Sequence, residues 1–165
     1  RQYNVDQYLE MIAMVNARLR VDGMPPAITT DIICGFPTET DEDFEQTVKI
    51  AKHVGYLHMH VFPYSVRTGT AAARWEQLPS EVVQGRVQTL LKLDEELSVV
   101  FREQLVGRQV QVMIEKTDAQ QAKGRCEYYA EVCLQTDRLQ GDIVPAKVIG
   151  LTGSVTTAQP TLQVI

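Results

Sequence analysis

Apolar residues recur at Val5, Tyr8, Leu9, Ile12, Val15 and Leu19, one face of a 3.6-residue period, and predict a first helix. The breaker run Asp22-Gly23-Met24-Pro25-Pro26 closes it. Residues 27–36 are short and rich in Ile and Thr, the pattern of a buried strand. Thr40 then stands where an N-cap is needed, and Asp41, Glu42 and Asp43 follow it, favoured by the positive end of a helix dipole. Phe44, Val48 and Ala51 share a face, and Gly55 is placed to end the helix. Residues 57–62 alternate, with Leu57, Met59 and Val61 on one side and His58, His60 and Phe62 on the other, which predicts a second strand. Strand, capped helix, strand is a βαβ unit with parallel strands and a right-handed crossover. Both strands end on one edge, at Gly35-Phe36-Pro37 and at Pro63-Tyr64-Ser65, and in parallel α/β folds that edge binds ligands.

A loop over residues 65–79 leads to Ser80, expected to cap a long helix with the apolar stripe Val83, Val87, Leu90, Leu91, Leu97, Val100 and Phe101. That helix is expected to close near Gly107. Beyond it the period changes from helix to strand. Strands are expected over residues 109–115, 125–134, 143–149 and 161–165, punctuated by Gly124, Gly141, Gly150 and Gly153. Several short strands in about 60 residues suggest a small closed β-barrel of the OB type. The expected fold class is therefore α/β, the C-terminal portion of a partial (β/α) barrel over residues 1–104, followed by a small all-β OB-like barrel over residues 105–165.

Composition adds little to this and charge adds more. The 165 residues are 44% apolar and 22% charged, as in soluble globular proteins. No run approaches the roughly 20 apolar residues of a membrane span, and the opening residues lack a signal-peptide core, so a cytoplasmic protein is expected. The chain enters a helical pattern directly from Arg1 and reads as a segment of something longer. The net charge of −5 belongs wholly to residues 1–104, with 10 Lys/Arg against 15 Asp/Glu, while residues 105–165 balance 6 against 6. Cys34, Cys126 and Cys133 have no CxxC spacing and are expected as reduced thiols, neither a disulfide framework nor a metal knuckle.

Candidate chemistry gathers at the ligand edge. His58 and His60 face one side of their strand. Metal ligation would need a third ligand, which no spacing supplies, so this face is read as lining the barrel interior. Asp31 in the middle of a strand is costly to bury unless paired or functional, and is expected to face that interior too; pairing with backbone or an arginine is the plainer alternative. Arg67, just past the second strand with Tyr64, Ser65 and Thr70, could grip a carboxylate or phosphate through its fork, or stand free in solvent. Residue physics goes no further than a ligand edge without a reaction.

The segments "TTDIICGFPTETDEDF" and "LHMHVFPYSVRTGTAAAR" together resemble the radical S-adenosylmethionine methylthiotransferases, whose corresponding motifs run TD-I-I-x-GFPGET-x-x-DF and F-PYS-x-R-x-GT-x-A. The resemblance covers residues 1 to about 104, and the β-rich tail agrees with it. The wording His60 to Ser65 is most similar to the subgroup acting on threonylcarbamoyladenosine in tRNA. The resemblance implies a parent with an N-terminal domain carrying one 4Fe-4S cluster, a central partial barrel whose CxxxCxxC triad holds a second, and a C-terminal TRAM domain that engages RNA. The parent would replace the C2 hydrogen of a modified adenine by a methylthio group, using a 5′-deoxyadenosyl radical. No CxxxCxxC occurs here, so this segment alone is expected to be inactive, with no catalytic residue or metal ligand of its own.

By the same resemblance, Asp31, Ile33, Gly35, Phe36, His60, Tyr64, Ser65 and Arg67 would bind S-adenosylmethionine at the rim. Lys123, Arg125, Tyr128 and Tyr129 would contact RNA by charge and stacking, although strand alternation would put one tyrosine in the core. Thr38 departs from the family's glycine and Val66 from its proline; a β-branched Thr38 excludes a positive φ there. Two other readings remain, a coproporphyrinogen-oxidase-like radical enzyme, which the β-rich tail disfavours, and a non-catalytic RNA-binding module.

Overall fold

The computed structural model describes residues 3–118, 121–153 and 155–161. The chain divides into two compact units, Ile28–Ser98 and Arg1–Ala27 with Val99–Ile165. The first 27 residues thus belong with the strand-rich unit, a grouping absent from the linear pattern. One tie that makes it is the Arg108 guanidinium, which donates to the carbonyl of Asp22 at 3.0 Å.

In the unit Ile28–Ser98, β1 (Thr29–Cys34) and β2 (His58–Pro63) pair in parallel, Thr29 opposite His58 through Cys34 opposite Pro63. The crossover helix α2 (Asp41–Val54) begins where the sequence places it. Thr40 accepts from the Asp43 amide at 3.1 Å while Asp43 accepts from the Thr40 amide at 3.0 Å, a capping box. Gly55 ends α2 with φ 68°, a left-handed C-terminus that glycine adopts without strain. Buried Ala51, Tyr56, Met59 and Leu93 form the core, with Ile28, Ile32, Val48, Val61 and Leu97 packed around them. One face of the sheet is therefore covered by helix. The opposite face presents Thr29, Asp31, Ile33, His58, His60 and Phe62, all exposed.

The long helix α3 (Ser80–Glu103) differs from its expected stripe. Leu91 and Val100 are 39% and 56% exposed, whereas Leu93 and the polar Arg86 and Asp94 are buried. Ser80 lies within the helix, and the first turn is closed by the Val83 amide on the Pro79 carbonyl.

The second unit contains α1 (Val5–Leu19), capped reciprocally by Asn4 and Gln7. It also holds a closed barrel of β3 (Gln109–Asp118), β4 (Gln121–Arg125), β5 (Glu131–Gln135), β6 (Ile143–Thr152) and β7 (Val155–Pro160), in the order β3-β4-β5-β7-β6. All neighbours are antiparallel except β5 and β7. Alternate residues Val110, Val112, Ile114, Ala122, Val132, Leu134, Val144, Ala146 and Val148 fill it. Gly124 is required on β4, since a Cβ there would sit 2.0 Å from the Met113 carbonyl oxygen. Thr156 is fully buried, and its hydroxyl has no hydrogen-bond partner among the described residues.

The single strand expected over residues 125–134 is a hairpin: Tyr129 has φ 59°, and the Cys126 amide donates across the turn to the Ala130 carbonyl at 3.1 Å. Most of the strand expected over residues 161–165 falls outside the described residues. The final observed strand ends at Pro160.

Candidate functional site

At the C-terminal edge of β1 the backbone turns through Gly35, whose φ is 79° and whose Cβ, if present, would lie 2.7 and 2.8 Å from the Val83 methyls. Glu39 folds back over this turn: its carboxylate accepts the Gly35 amide at 2.7 Å, and its own amide donates to the Phe36 carbonyl at 2.8 Å. Arg86 of α3 locks the arrangement, donating to the Glu39 carboxylate and carbonyl and to Asp41 at 2.7 Å, with the Phe44 ring 5.3 Å from its guanidinium carbon. Burial works against this cation, yet the hydrogen bonds and charges of Asp41 and Glu39 prevail and raise its pKa. The motif's polar residues therefore do two jobs: Thr40 and Asp43 cap the helix, while Glu39 and Asp41 fix the turn.

The turn carries Phe36 into an aromatic cluster. Its ring meets Tyr64 edge-on at 5.1 Å and Trp75 edge-on at 5.8 Å. The Tyr64 amide donates to the Cys34 carbonyl at 2.8 Å, tying the two strand ends together. Gly35, Phe36 and Tyr64 are thus brought together, as the sequence reading places them on one edge, and Trp75 joins them. Ser65 and Arg67 are exposed in the following loop, and among the described residues the Arg67 side chain forms no ion pair. Thr38 has no positive φ.

Asp31 and His60 are cross-strand partners, as are Ile33 and Phe62. Asp31 is exposed and not buried, because two strands alone leave the face opposite the helices open to water. Asp31 thus shares the helix-free face with His58 and His60, the side on which the sequence reading groups them. His58 donates or accepts through Nδ1 to Asp94 Oδ2 at 2.9 Å, and Asp94 Oδ1 accepts the Met59 amide at 2.6 Å. An ionised carboxylate only accepts, so Nδ1 is the donor in this contact. The His58 and His60 rings lie 4.4 Å apart. Arg86, Asp94, Glu39 and Trp75 were missed in the sequence. The usable signal was period: Arg86 and Asp94 fall three and four residues from apolar members of the α3 stripe.

Among the described residues no three His, Cys, Asp or Glu side chains converge to hold a metal. Cys34 and Cys126 are buried and Cys133 half-buried, and burial pushes all three thiols up. This set does not fit an iron-sulfur cluster. No helix among the described residues is long and apolar enough to cross a membrane.

On the barrel, Lys123 lies 3.9 Å from Glu131 and Arg125 3.6 Å from Glu115, so both RNA candidates have acidic neighbours. Tyr128 is half-buried and Tyr129 is 71% exposed at the hairpin turn. Neither is among the buried residues of the barrel core, contrary to the alternation expected of a continuous strand.

No family model matches the chain. It is 37% identical over 156 residues, 91% of its own length, to a tRNA-2-methylthio-N(6)-dimethylallyladenosine synthase of Protochlamydia amoebophila. Proteins of the same name from Streptomyces avermitilis and Neorickettsia sennetsu are 44% and 34% identical over 69% and 90% of the chain. By sequence, the chain is related to the tRNA methylthiotransferases. It spans 34%, 22% and 31% of the length of these three relatives. Their names specify a dimethylallyl substituent, so they support the methylthiotransferase family and not the threonylcarbamoyl subgroup.

Proposed function

We propose that the chain is the C-terminal part of a tRNA methylthiotransferase that places a methylthio group on C2 of an N6-modified adenosine. The observation that carries this reading is the similarity to methylthiotransferases over nine tenths of the chain, with the Gly35-Phe36-Pro37 turn at its ligand edge. The reading takes residues 1–104 as barrel and residues 105–165 as a TRAM domain. In the whole enzyme, S-adenosylmethionine and two 4Fe-4S clusters, held by cysteines outside this chain, supply the radical chemistry.

This chain's share is binding and orientation. Ile33, Gly35 and Phe36 offer an apolar wall, buttressed by Tyr64 and Trp75, that suits the face of an adenine ring. Gly35 lets the backbone turn sharply at the rim, and Arg67 supplies an unengaged cation for the carboxylate of S-adenosylmethionine. Asp31, His60 and Ser65 provide polar contacts along the same open face. On the barrel, Lys123, Arg125, Tyr128 and Tyr129 are the RNA contacts suggested by the family resemblance. The N6 substituent is dimethylallyl if the relatives' names carry over, and threonylcarbamoyl if the His60 to Ser65 wording does.

The test is expression of the full-length gene in cells lacking their own methylthiotransferases, with mass spectrometry of tRNA nucleosides. A methylthioadenosine is expected, and the mass of its N6 group identifies the substrate. Arg67→Ala in that protein should weaken S-adenosylmethionine binding roughly tenfold or more, given the ~1.5–3 kcal/mol of a hydrogen bond to a charged group. Absence of any methylthio nucleoside, together with absence of CxxxCxxC upstream, overturns the reading and leaves a non-catalytic RNA-binding module.

A further inference from the structure

The barrel carries a groove of about 390 Å³ on its outer face, away from the hairpin at Tyr129, lined in part by Gln121, Gln135, Gln159, Ile149, Thr157 and Pro160. Its volume lies in the ~300–1,000 Å³ range of small-ligand clefts. Pairing arranges the lining in rows. Gln121 stands opposite Gln135, and Gln159 opposite Lys147. One step along, Lys116 stands opposite Lys123, Lys123 opposite Cys133, and Cys133 opposite Thr157. The parallel ladder between β5 and β7 ends at Leu134 and Ala158, and Gln135 and Gln159 follow immediately. A register shift between Val148 and Gly150 turns Ile149 outward, 58% exposed, the re-aiming that a bulge produces.

No charged residue lines this groove among the described residues, while Lys116 and Lys123 flank it on one side and Lys147 on the other. Glu131, beside Lys123 at 3.9 Å, and Asp118, opposite Gln121, are acidic neighbours outside the lining. A ligand fitting this pattern has a neutral, planar, hydrogen-bonding part and anionic groups on both sides. Carboxamides match the donor and acceptor edges of a base, Ile149 and Pro160 supply an apolar surface, and lysines flank as phosphate contacts do. We propose that this groove holds an unpaired nucleotide of single-stranded RNA, its base among the three glutamines and its phosphates toward the lysines. The inference rests on reading the chain as part of a tRNA-modifying enzyme, and it moves the centre of RNA contact from the Tyr129 turn to the opposite end of β4 and β5.

The test is fluorescence anisotropy of the 165-residue chain with a labelled, unstructured, mixed-sequence oligoribonucleotide across a salt series. Gln135→Ala with Gln159→Ala should weaken binding about tenfold, from the modest worth of each lost amide hydrogen bond, with an unchanged circular dichroism spectrum. Lys147→Ala, at an exposed position that cannot unfold the barrel, should lower the salt slope by about one. Arg125→Ala and Tyr129→Ala should each weaken binding less than the glutamine pair does. Overturning results are wild-type affinity in both the glutamine and Lys147 variants, loss confined to the Tyr129 turn, or no RNA binding by the chain. The enzyme reading fails by a different measurement, the absence of methylthio nucleosides from the full-length protein.

Discussion

Replacing Gly35 by alanine separates two demands that the rim turn makes on one residue. The first is conformational: φ is 79°, and a left-handed L-residue costs roughly 1–2 kcal/mol. The second is steric, because the new Cβ would lie 2.7 and 2.8 Å from the two Val83 methyls and 3.2 Å from its Cβ. Overpacking of that kind costs about 1–3 kcal/mol, so Gly35→Ala should destabilise its unit by about 2–5 kcal/mol. Gly55→Ala serves as the control, since φ is 68° there and nothing lies within 4 Å of the built Cβ; it should cost only the conformational part. Trp75 is the single tryptophan and packs on Phe36, so its fluorescence during urea unfolding reports on this unit. Val83→Ala in the Gly35→Ala background should recover about 1–2 kcal/mol as a coupling energy. If Gly35→Ala costs no more than Gly55→Ala, or if the Gly35 and Val83 changes add without coupling, the steric account of this glycine is wrong.

Thr156→Val should stabilise the barrel by about 1–3 kcal/mol, the cost of a buried hydroxyl with no partner, seen as a higher Tm in calorimetry; a lower Tm would mean that the hydroxyl has a partner in solution. At Cys34, burial first and the Glu39 charge second raise the thiol pKa. The thiolate fraction near pH 8 is then below that of a free thiol, and native-state alkylation should lag the denatured chain and keep climbing above pH 9. Peptide mapping after iodoacetamide treatment checks this, and equal native and denatured rates at pH 8 would refute it.

The βαβ unit was legible because its signals are local. Thr40 with its acids and Gly55 each fix a helix end through neighbours a few residues away, and the period-2 run at β2 has no competing period. The hairpin in the barrel was not, because residues 125–134 read as one apolar-alternating run. What breaks it is a non-glycine residue, Tyr129, in a left-handed conformation, which no composition rule marks. The rim was half legible. Phe36 and Tyr64 follow from strand ends, but the Arg86 clamp and the Asp94 contact depend on side chains 47 and 36 positions away from Glu39 and His58. Asp31 is legible as to face, which the period-2 pattern fixes, but not as to exposure, which depends on what covers that face, and the helices lie on the other one.

Asp94 also sets a direction of growth for the small sheet. In a parallel strand the amide and carbonyl of one residue point to the same side, and Met59 gives its amide to Asp94, away from β1. A new strand arriving along that flank of β2 would find its first docking point already filled by a carboxylate from α3. On the β1 flank the outward amide filled in the same way is that of Gly35, just past the strand's end, which goes to the Glu39 carboxylate. A strand arriving on the β1 side would thus meet the Glu39 carboxylate only beyond Cys34, whereas on the β2 side it meets Asp94 within the strand.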